Sequence, residues 1–245
     1  MKNAKFHNSY NDRLFSKKNF IRYLFHTSRF LWLNKTIKRL KIKYSNVIEL
    51  GCFDGKALDY LPKQPIKYDG FDKNWEGGLD KAKHRKKEGI NFNYAALPKD
   101  LPSGEKTKYE LGICMETLEH IPPKLVCPYL EKLSKLINGH LIITVPNEKG
   151  VFFLLKRLLK PRQEEFGAYK FNFREYIYLL FGKTNMVERN EHKGFDYDHL
   201  IYDIRKYFDI VEVNGYPKYF FLPLFLSFGA GIVAKSKKVT ELSKT

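Results

Sequence analysis

Short apolar runs alternate with amphipathic segments along the middle of the chain. Five runs have the length and composition of buried strands. They lie at 46–50, 66–72, 90–94, 109–115 and 140–145. Turn residues or helical patterns separate them, and the clearest helical pattern, at 122–136, opens with two prolines. This alternation predicts an α/β fold in which a parallel sheet carries helices on both faces.

The pattern changes at both ends of this alternation. Residues 16–42 place apolar side chains along one face opposite Lys and Arg, which predicts an N-terminal helix. Residues 147–195 combine a basic amphipathic segment with many aromatic residues and are too few for a core of their own. We therefore expect them to cap the sheet edge. A helix at 198–207 and strands at 208–213 and 231–235 then resume the alternation.

These patterns divide the chain into a basic helical segment at 1–45, a domain at 46–235 that carries the cap at 147–195, and a polar tail at 236–245. The net charge of +17 is concentrated in the first region, where twelve Lys and Arg face one acid, Asp12. Such a surface is either simply solvated or meets polyanions such as phospholipid headgroups, phosphorylated substrates or nucleic acid.

The cysteines and the hydropathy narrow the setting. Cys52, Cys114 and Cys127 show neither C-x-x-C spacing nor a zinc-type histidine interval, so the sequence predicts no disulfide framework and no metal site. Charged residues interrupt the apolar stretch at 20–33, and the longest uncharged run, from Tyr219, contains a proline and two glycines. Neither has the pattern of a signal peptide or a membrane span, and we expect a cytoplasmic protein.

The stretch VIELGCFDG at 47–55 carries the first chemical signal. A predicted strand holds Glu49 near its end, and Gly51 and Gly55 follow in the turn. A glycine-rich turn between a strand and a helix presents backbone N–H groups to a ligand. The acid suits an ammonium group rather than a pyrophosphate, and the sequence lacks the GxGxxG of dinucleotide sites. A purely structural turn is the alternative interpretation.

A second acid stands at the end of the next predicted strand. Asp72 lies twenty-one residues beyond Gly51. From that place a carboxylate can accept hydrogen bonds from both hydroxyls of a ribose. Asp is also a favourable N-cap residue, so the alternative is that Asp72 caps the helix that follows.

Four segments in order resemble class I S-adenosylmethionine-dependent methyltransferases. They are ELGCFDG, YDGFD, YELGICMETLEHI and HLIITVPN. The last-but-one is similar to a small-molecule group that carries an LEH motif after the fourth strand. The resemblance covers residues 46–147, and residues 198–235 match the final helix and hairpin of that fold. It implies a Rossmann-like, mostly parallel seven-stranded sheet with an antiparallel last strand, an N-terminal helix over the cofactor, and S-adenosyl-L-methionine as the cofactor.

The resemblance also implies roles for individual residues. Glu49 would favour the α-ammonium of the cofactor, and Asp72 would bind the ribose hydroxyls. Ala96 and Leu97 align with the segment that flanks adenine. Many relatives have an acid there that accepts from the adenine amine, so in this chain backbone groups must serve.

Further residues would surround the methionine part of the cofactor or line the sulfonium side of the pocket. They are Gly51, Cys52, Phe53, Gly55, Cys114 and Met115. Phe53 occupies a place where such turns often have a third glycine. We expect Phe53 to shape the methionine end of the pocket without blocking it, because the glycines at both ends of the turn remain.

The reaction that the resemblance implies is a direct displacement at the sulfonium methyl, and a hydroxyl acceptor needs a base. His120, just past the fourth strand, is the candidate catalytic base. The alternative is that His120 and Glu116 only fix the turn that follows. Asn147 opens the segment that usually forms the acceptor pocket, and His192 either binds the acceptor or is a plain surface group.

The leading hypothesis is therefore a methyltransferase for a hydroxyl of a small-molecule, saccharide, lipid-linked or quinone-like acceptor. The stretches VFFLLKRLLK and FFLPLFLSF with the basic N-terminus suggest peripheral contact with an anionic membrane, although they can equally pack on each other. An RNA methyltransferase or binder fits the charge, but no NPPY-type signature or RNA-binding motif occurs in the sequence. A non-catalytic cofactor-binding scaffold is the third hypothesis.

Overall fold

A computed structural model describes residues 20–103, 108–150, 153, 171–190, 192–216 and 224–237. Much of the predicted cap, most of the polar tail and the first nineteen residues lie outside these ranges. Within them, no helix is long and apolar enough to cross a membrane.

The described strands form one seven-stranded sheet. They are β1 (Asn46–Leu50), β2 (Lys67–Asp72), β3 (Ile90–Tyr94), β4 (Tyr109–Met115), β5 (Ile137–Pro146), β6 (Phe208–Tyr216) and β7 (Gly229–Ser236). Their order across the sheet is β3-β2-β1-β4-β5-β7-β6. The first five pair in parallel, and β7 runs antiparallel to both of its neighbours. The predicted Rossmann-like sheet with its antiparallel last strand is confirmed.

The described helices are α1 (Phe20–Arg39), α2 (Gly78–Lys83), α3 (Pro123–Leu136), α4 (Phe173–Leu180) and α5 (Tyr197–Tyr207). All but α4 cover the two faces of the sheet, whereas Leu179 of α4 is buried in a small third cluster with Phe153 and Val187. One buried cluster joins α3 and α5 to the sheet, and a second joins α1 and α2 to the opposite face. Two sheet faces, each with its own apolar core, explain why the central strands β1, β4, β5 and β7 are mostly buried, whereas the edge strands β3 and β6 are partly exposed.

The N-terminal helix shares the core of the sheet rather than standing apart from it. Trp32 and Leu33 of α1 are buried in the second cluster, and the Trp32 ring lies 6.4 Å from the ring of Tyr216 at the end of β6. Phe30 stacks on Tyr60 with centroids 5.0 Å apart. The helix predicted at 16–42 is confirmed from Phe20 to Arg39 and ends three residues earlier than predicted. It packs on the 3-10 turn at Lys56–Tyr60 that follows β1.

Candidate functional site

The carboxyl ends of β1, β2 and β4 meet at one edge of the sheet, where ligands bind in this kind of fold. The backbone N–H of Gly51 donates to the carbonyl of Phe71 at 2.7 Å, which joins the turn after β1 to β2. Gly51 has a φ of +75°, and a side chain there would lie 2.0 Å from the Thr117 hydroxyl. Gly51 is therefore required both by its backbone conformation and by the approach of the turn after β4.

Phe53 has a left-handed backbone conformation, which costs a residue with a side chain more free energy than it costs glycine. Its φ is +47°, in the left-handed region. Its ring packs on Gly78 so closely that a Cβ on that glycine would lie 2.2 Å from the ring, and the Trp75 ring lies 6.0 Å away. The turn after β1 thus carries a bulky residue because a glycine at the start of α2 leaves room for it.

Asp72 connects the turn after β1 to the turn after β2. Its buried carboxylate accepts from the backbone N–H of Phe53 at 3.1 Å and from that of Trp75 at 3.2 Å. The bond from Trp75 ties Asp72 to the first residue of the 3-10 turn after β2, whose N-cap residue is Asn74 and not Asp72. An ionised carboxylate offers about four acceptor positions, so two bonds leave capacity for a ligand.

Glu49 is the second acid at this edge, on the strand next to β2. Its side chain is 2% exposed and accepts a hydrogen bond from the Tyr68 hydroxyl. Burial raises the pKa of Glu49 to about 8, the bond from Tyr68 opposes this rise, and the charge of Asp54 adds to it. A bound ammonium group would favour the ionised form. Tyr68 was not identified from the sequence, where it is one more apolar position of a buried strand.

Three of the residues assigned to the pocket direct their side chains into the cores. Cys52 and Met115 are buried in the cluster beneath α1, whereas Cys114 is buried in the cluster beneath α3. The Thr144 hydroxyl lies 3.8 Å from the Met115 sulfur. Contact between these three residues and a cofactor remains a prediction. Because their side chains are buried in the cores, their backbone groups would have to make this contact.

Ala96 and Leu97 follow β3 and are exposed. Both of their backbone N–H groups donate to the carboxylate of Asp100, at 2.9 and 2.8 Å. The expectation that backbone groups serve adenine therefore narrows to carbonyl oxygens, which are also the groups that can accept from an adenine amine.

The two histidines predicted at the acceptor side lie in contact. The rings of His120 and His192 meet edge to face with centroids 4.5 Å apart. His120 ends the 3-10 turn after β4, and His192 precedes α5. The buried carboxylate of Glu148 lies 3.6 Å from Nδ1 of His192. Residues distant in the sequence thus form one polar cluster at the turn after β4.

Glu119 belongs to the same cluster and was missed by the sequence reasoning. Its side chain is fully buried, and one carboxylate oxygen lies 3.9 Å from Nε2 of His120. Within the described ranges neither carboxylate oxygen has a hydrogen-bond partner. Burial, and next the charge of Glu116, raise the pKa of Glu119 well above its usual value. The signal was the pair of glutamates in ETLEH, both immediately past a buried strand.

Asn147 follows β5 and has a structural contact. Its side-chain amide donates to the carbonyl of Ser227 at 3.1 Å, and its backbone N–H donates to that of Phe228 at 3.0 Å. These bonds fix the residues after β5 against the segment before β7. Its predicted contact with an acceptor stays a prediction. Glu116, which with His120 was the alternative anchor of the turn after β4, accepts a hydrogen bond from the Tyr216 hydroxyl.

Comparison with known proteins agrees with this geometry. A family profile described as "Methyltransferase domain" matches residues 20–200. A curated ubiquinone biosynthesis O-methyltransferase of Coxiella burnetii (strain Dugway 5J108-111) is 23% identical over 166 residues, which are 66% of this chain and 61% of that protein. The chain thus spans about three fifths of the length of the curated relatives it matches.

Two solved structures illustrate the shared fold. An S-adenosylmethionine-dependent methyltransferase from Clostridium acetobutylicum ATCC 824 superposes with a TM-score of 0.62 at 11% identity, over 92% of this chain and 98% of the other. Magnesium protoporphyrin IX methyltransferase (ChlM) from Synechocystis PCC 6803, solved with bound SAH, gives 0.54 at 16% identity, over 89% and 88%.

The raised pKa of Glu49 predicts a pH-dependent stability. The folded, ligand-free protein holds a proton that the unfolded chain releases between pH 4.5 and about 8. The stabilising contribution is complete below pH 4.5 and lost as the pH rises through about 8. We expect the free energy of unfolding, measured by urea denaturation, to decrease as the pH rises from 4.5 to about 8. In Glu49→Gln this decrease should be smaller. Glu131→Gln, which alters an exposed glutamate of α3, is the control. An unchanged slope in Glu49→Gln would contradict the assignment.

Proposed function

Since the chain belongs to the methyltransferase family, we propose that it transfers the methyl group of S-adenosyl-L-methionine to a hydroxyl group of a small-molecule acceptor. One observation carries the proposal. Glu49 and Asp72, buried acids on adjacent strands, flank a turn in which Gly51 lets the backbone approach a ligand closely. This chain therefore has the groups that an ammonium, a ribose and a close backbone approach require.

The residues present fit the cofactor. Glu49 would hold the α-ammonium group and Asp72 the ribose hydroxyls, with the turn from Gly51 to Gly55 along the methionine part. When bound, S-adenosylmethionine supplies an electrophilic methyl group: the acceptor oxygen forms the new C–O bond as the C–S bond breaks, and the sulfonium becomes a thioether. The contribution of the chain is to orient the two reactants, which can supply most of the rate enhancement.

The acceptor hydroxyl must lose its proton during the transfer. We assign its preparation to His120, which is partly exposed at the carboxyl end of β4. A neutral imidazole can accept the proton of the hydroxyl itself, or it can bind another group that lowers the pKa of the hydroxyl. His192, in contact with the His120 ring, is placed to bind the acceptor.

The relatives favour an oxygen acceptor. A protein named ubiquinone biosynthesis O-methyltransferase shares 23% of residues over the matched region. We therefore propose a hydroxylated aromatic or quinone-like acceptor, ahead of a saccharide or another lipid-linked alcohol.

The polar groups of the cluster around His120 and His192 would bind the acceptor hydroxyl. We also propose that this enzyme makes peripheral contact with an anionic membrane, where a lipid-linked acceptor resides. The described part of the predicted cap supports this contact. Phe173 and Phe181 of the α4 region are 79% and 72% exposed, and Arg174 and Lys183 beside them are exposed as well. Exposed aromatic and basic side chains together suit a lipid interface.

Cofactor binding tests the central claim. We expect S-adenosylhomocysteine to bind the wild-type protein in calorimetric titration and NAD not to bind. Asp72→Ala should weaken the binding by at least about tenfold, which corresponds to ~1.4 kcal/mol. Asp80→Ala, an exposed acid of α2, is the matched control. If Asp72 only caps the turn, Asp72→Ala will bind S-adenosylhomocysteine like the wild type, and no binding by the wild type would contradict the function.

The role of His120 predicts the response to two acceptor probes. We expect more S-adenosylhomocysteine to form from 3,4-dihydroxybenzoate than from 3,4-diaminobenzoate. His120→Ala should lower turnover by about 10²-fold or more, because preparation of the hydroxyl is lost. His199→Ala, an exposed histidine on α5, should leave turnover unchanged. Full turnover by a folded His120→Ala variant would show that His120 serves only the turn.

Membrane contact predicts co-sedimentation with vesicles. We expect the protein to sediment with vesicles that contain phosphatidylserine and to remain in the supernatant with phosphatidylcholine alone. Replacing both Phe173 and Phe181 by Ser should reduce the bound fraction, whereas Tyr202→Ser, which alters an aromatic residue of α5 that is 66% exposed, should not. Equal sedimentation of the double variant would place the contact elsewhere, and the absence of sedimentation would refute it.

A further inference from the structure

We propose that Glu119, His120 and His192 bind one divalent transition-metal ion at the acceptor side of the pocket. The sequence predicted no metal site because its cysteines lack the spacings of zinc motifs. Such spacings describe ligands that are near neighbours in the chain. Here two ligands follow β4 and the third precedes α5, so only the fold brings them together.

The distances are close to those of a coordination sphere. One potential ligand atom from each of the three residues lies within 4.8 Å of the other two. Donors at opposite sides of one ion, each bound at about 2.1 Å, lie about 4.2 Å apart. Small side-chain movements therefore suffice, and the partial exposure of both histidines allows such movements.

The buried carboxylate gives an independent reason for a cation. Glu119 is fully buried, and in the part of the chain that the structure describes neither of its oxygens meets a hydrogen-bond donor. A buried carboxylate without such donors is costly unless a cation compensates it. Its surroundings add further negative charge from Glu116 and Glu148, opposed by Arg29. A dication bound to Glu119 would convert this unfavourable cluster into a satisfied one.

The surroundings of His192 have the form of a second coordination shell. Nδ1 of His192 lies 3.6 Å from the carboxylate of Glu148. A carboxylate beside a ligating imidazole fixes the orientation of the ring and raises its basicity. The neighbouring Lys149 pairs with Asp196 and Asp198, which ties the residues after β5 to the start of α5. The segment that leads from His192 into α5 is therefore anchored beside Glu148.

The donor set indicates which ions the site would take. Two imidazoles and one carboxylate suit Zn²⁺, Mn²⁺ or Co²⁺, whereas Mg²⁺ and Ca²⁺ prefer oxygen ligands alone. Three protein ligands leave coordination positions for an acceptor oxygen, and a bound ion lowers the pKa of a hydroxyl that it coordinates. This last step rests on the proposed function. In it the coordinated hydroxyl releases its proton to water, and His120 acts as a ligand of the ion instead of accepting the proton itself.

Cobalt binding tests the site without methyl transfer. The full chain, stripped of metal with EDTA and dialysed, is titrated with Co²⁺ without S-adenosylmethionine and followed by visible absorption and calorimetry. We expect one Co²⁺ per chain. Glu119→Gln and His192→Ala should each weaken binding by at least about tenfold, as much as the loss of a supporting residue costs in known sites. His199→Ala should bind like the wild type.

A second readout separates coordination from structural support. Glu119→Gln removes a buried charge, so the metal-free variant should unfold at an equal or higher urea concentration than the wild type while binding Co²⁺ less tightly. Unchanged Co²⁺ binding in both variants, or no saturable binding by the wild type, would overturn the inference. Binding of S-adenosylhomocysteine is measured separately, in EDTA. If the protein binds S-adenosylhomocysteine but not Co²⁺, the metal site is refuted and the proposed function stands. If it binds Co²⁺ but not S-adenosylhomocysteine, the metal site stands and the proposed function is refuted.

Discussion

The candidate cofactor site depends on the hydrogen bonds that the carboxylate of Asp72 accepts. This carboxylate binds one backbone N–H from the turn after β1 and one from the turn after β2, so two loops of different strands share one buried charge. The turn after β1 holds Phe53 in a left-handed conformation that costs about 1–2 kcal/mol outside such support. The hydrogen bond that the Phe53 amide donates to Asp72 helps to offset this cost, and it places the backbone of the turn beside the acid that would bind the ribose.

Most of the sheet was predictable because its strands are short, apolar and bounded by turn residues. The predicted bounds of β1, β3 and β4 are those of the structure. The side-chain directions at the end of β4 were predictable in principle as well. Cys114 and Met115 are consecutive in a strand, so they must point to opposite faces, and the structure buries them in different cores.

The site could be predicted only where its parts are local in the sequence. Glu49, Gly51 and Asp72 each stand at a strand end, and parallel pairing brings such ends together. The contact of His120 with His192 depends on how the residues after β5 are anchored to α5 and to the segment before β7, which no pattern in the chain reports. The room for Phe53 is likewise non-local, because it comes from the absence of a side chain at Gly78.

The buried acids of this edge differ in how they are compensated, and the difference indicates where ligands belong. Asp72 receives two backbone amides and Glu49 one tyrosine hydroxyl, whereas for Glu119 the described residues supply no donor. Burial of a carboxylate costs more free energy when fewer hydrogen-bond donors and positive charges surround it. Strongly perturbed acids in a cleft concentrate at functional sites for that reason. Glu49 needs one positive group, which the ammonium of a bound cofactor would supply. Glu119 needs more, because two further carboxylates face it, and a divalent ion held with two imidazoles meets that need where a single ammonium would not.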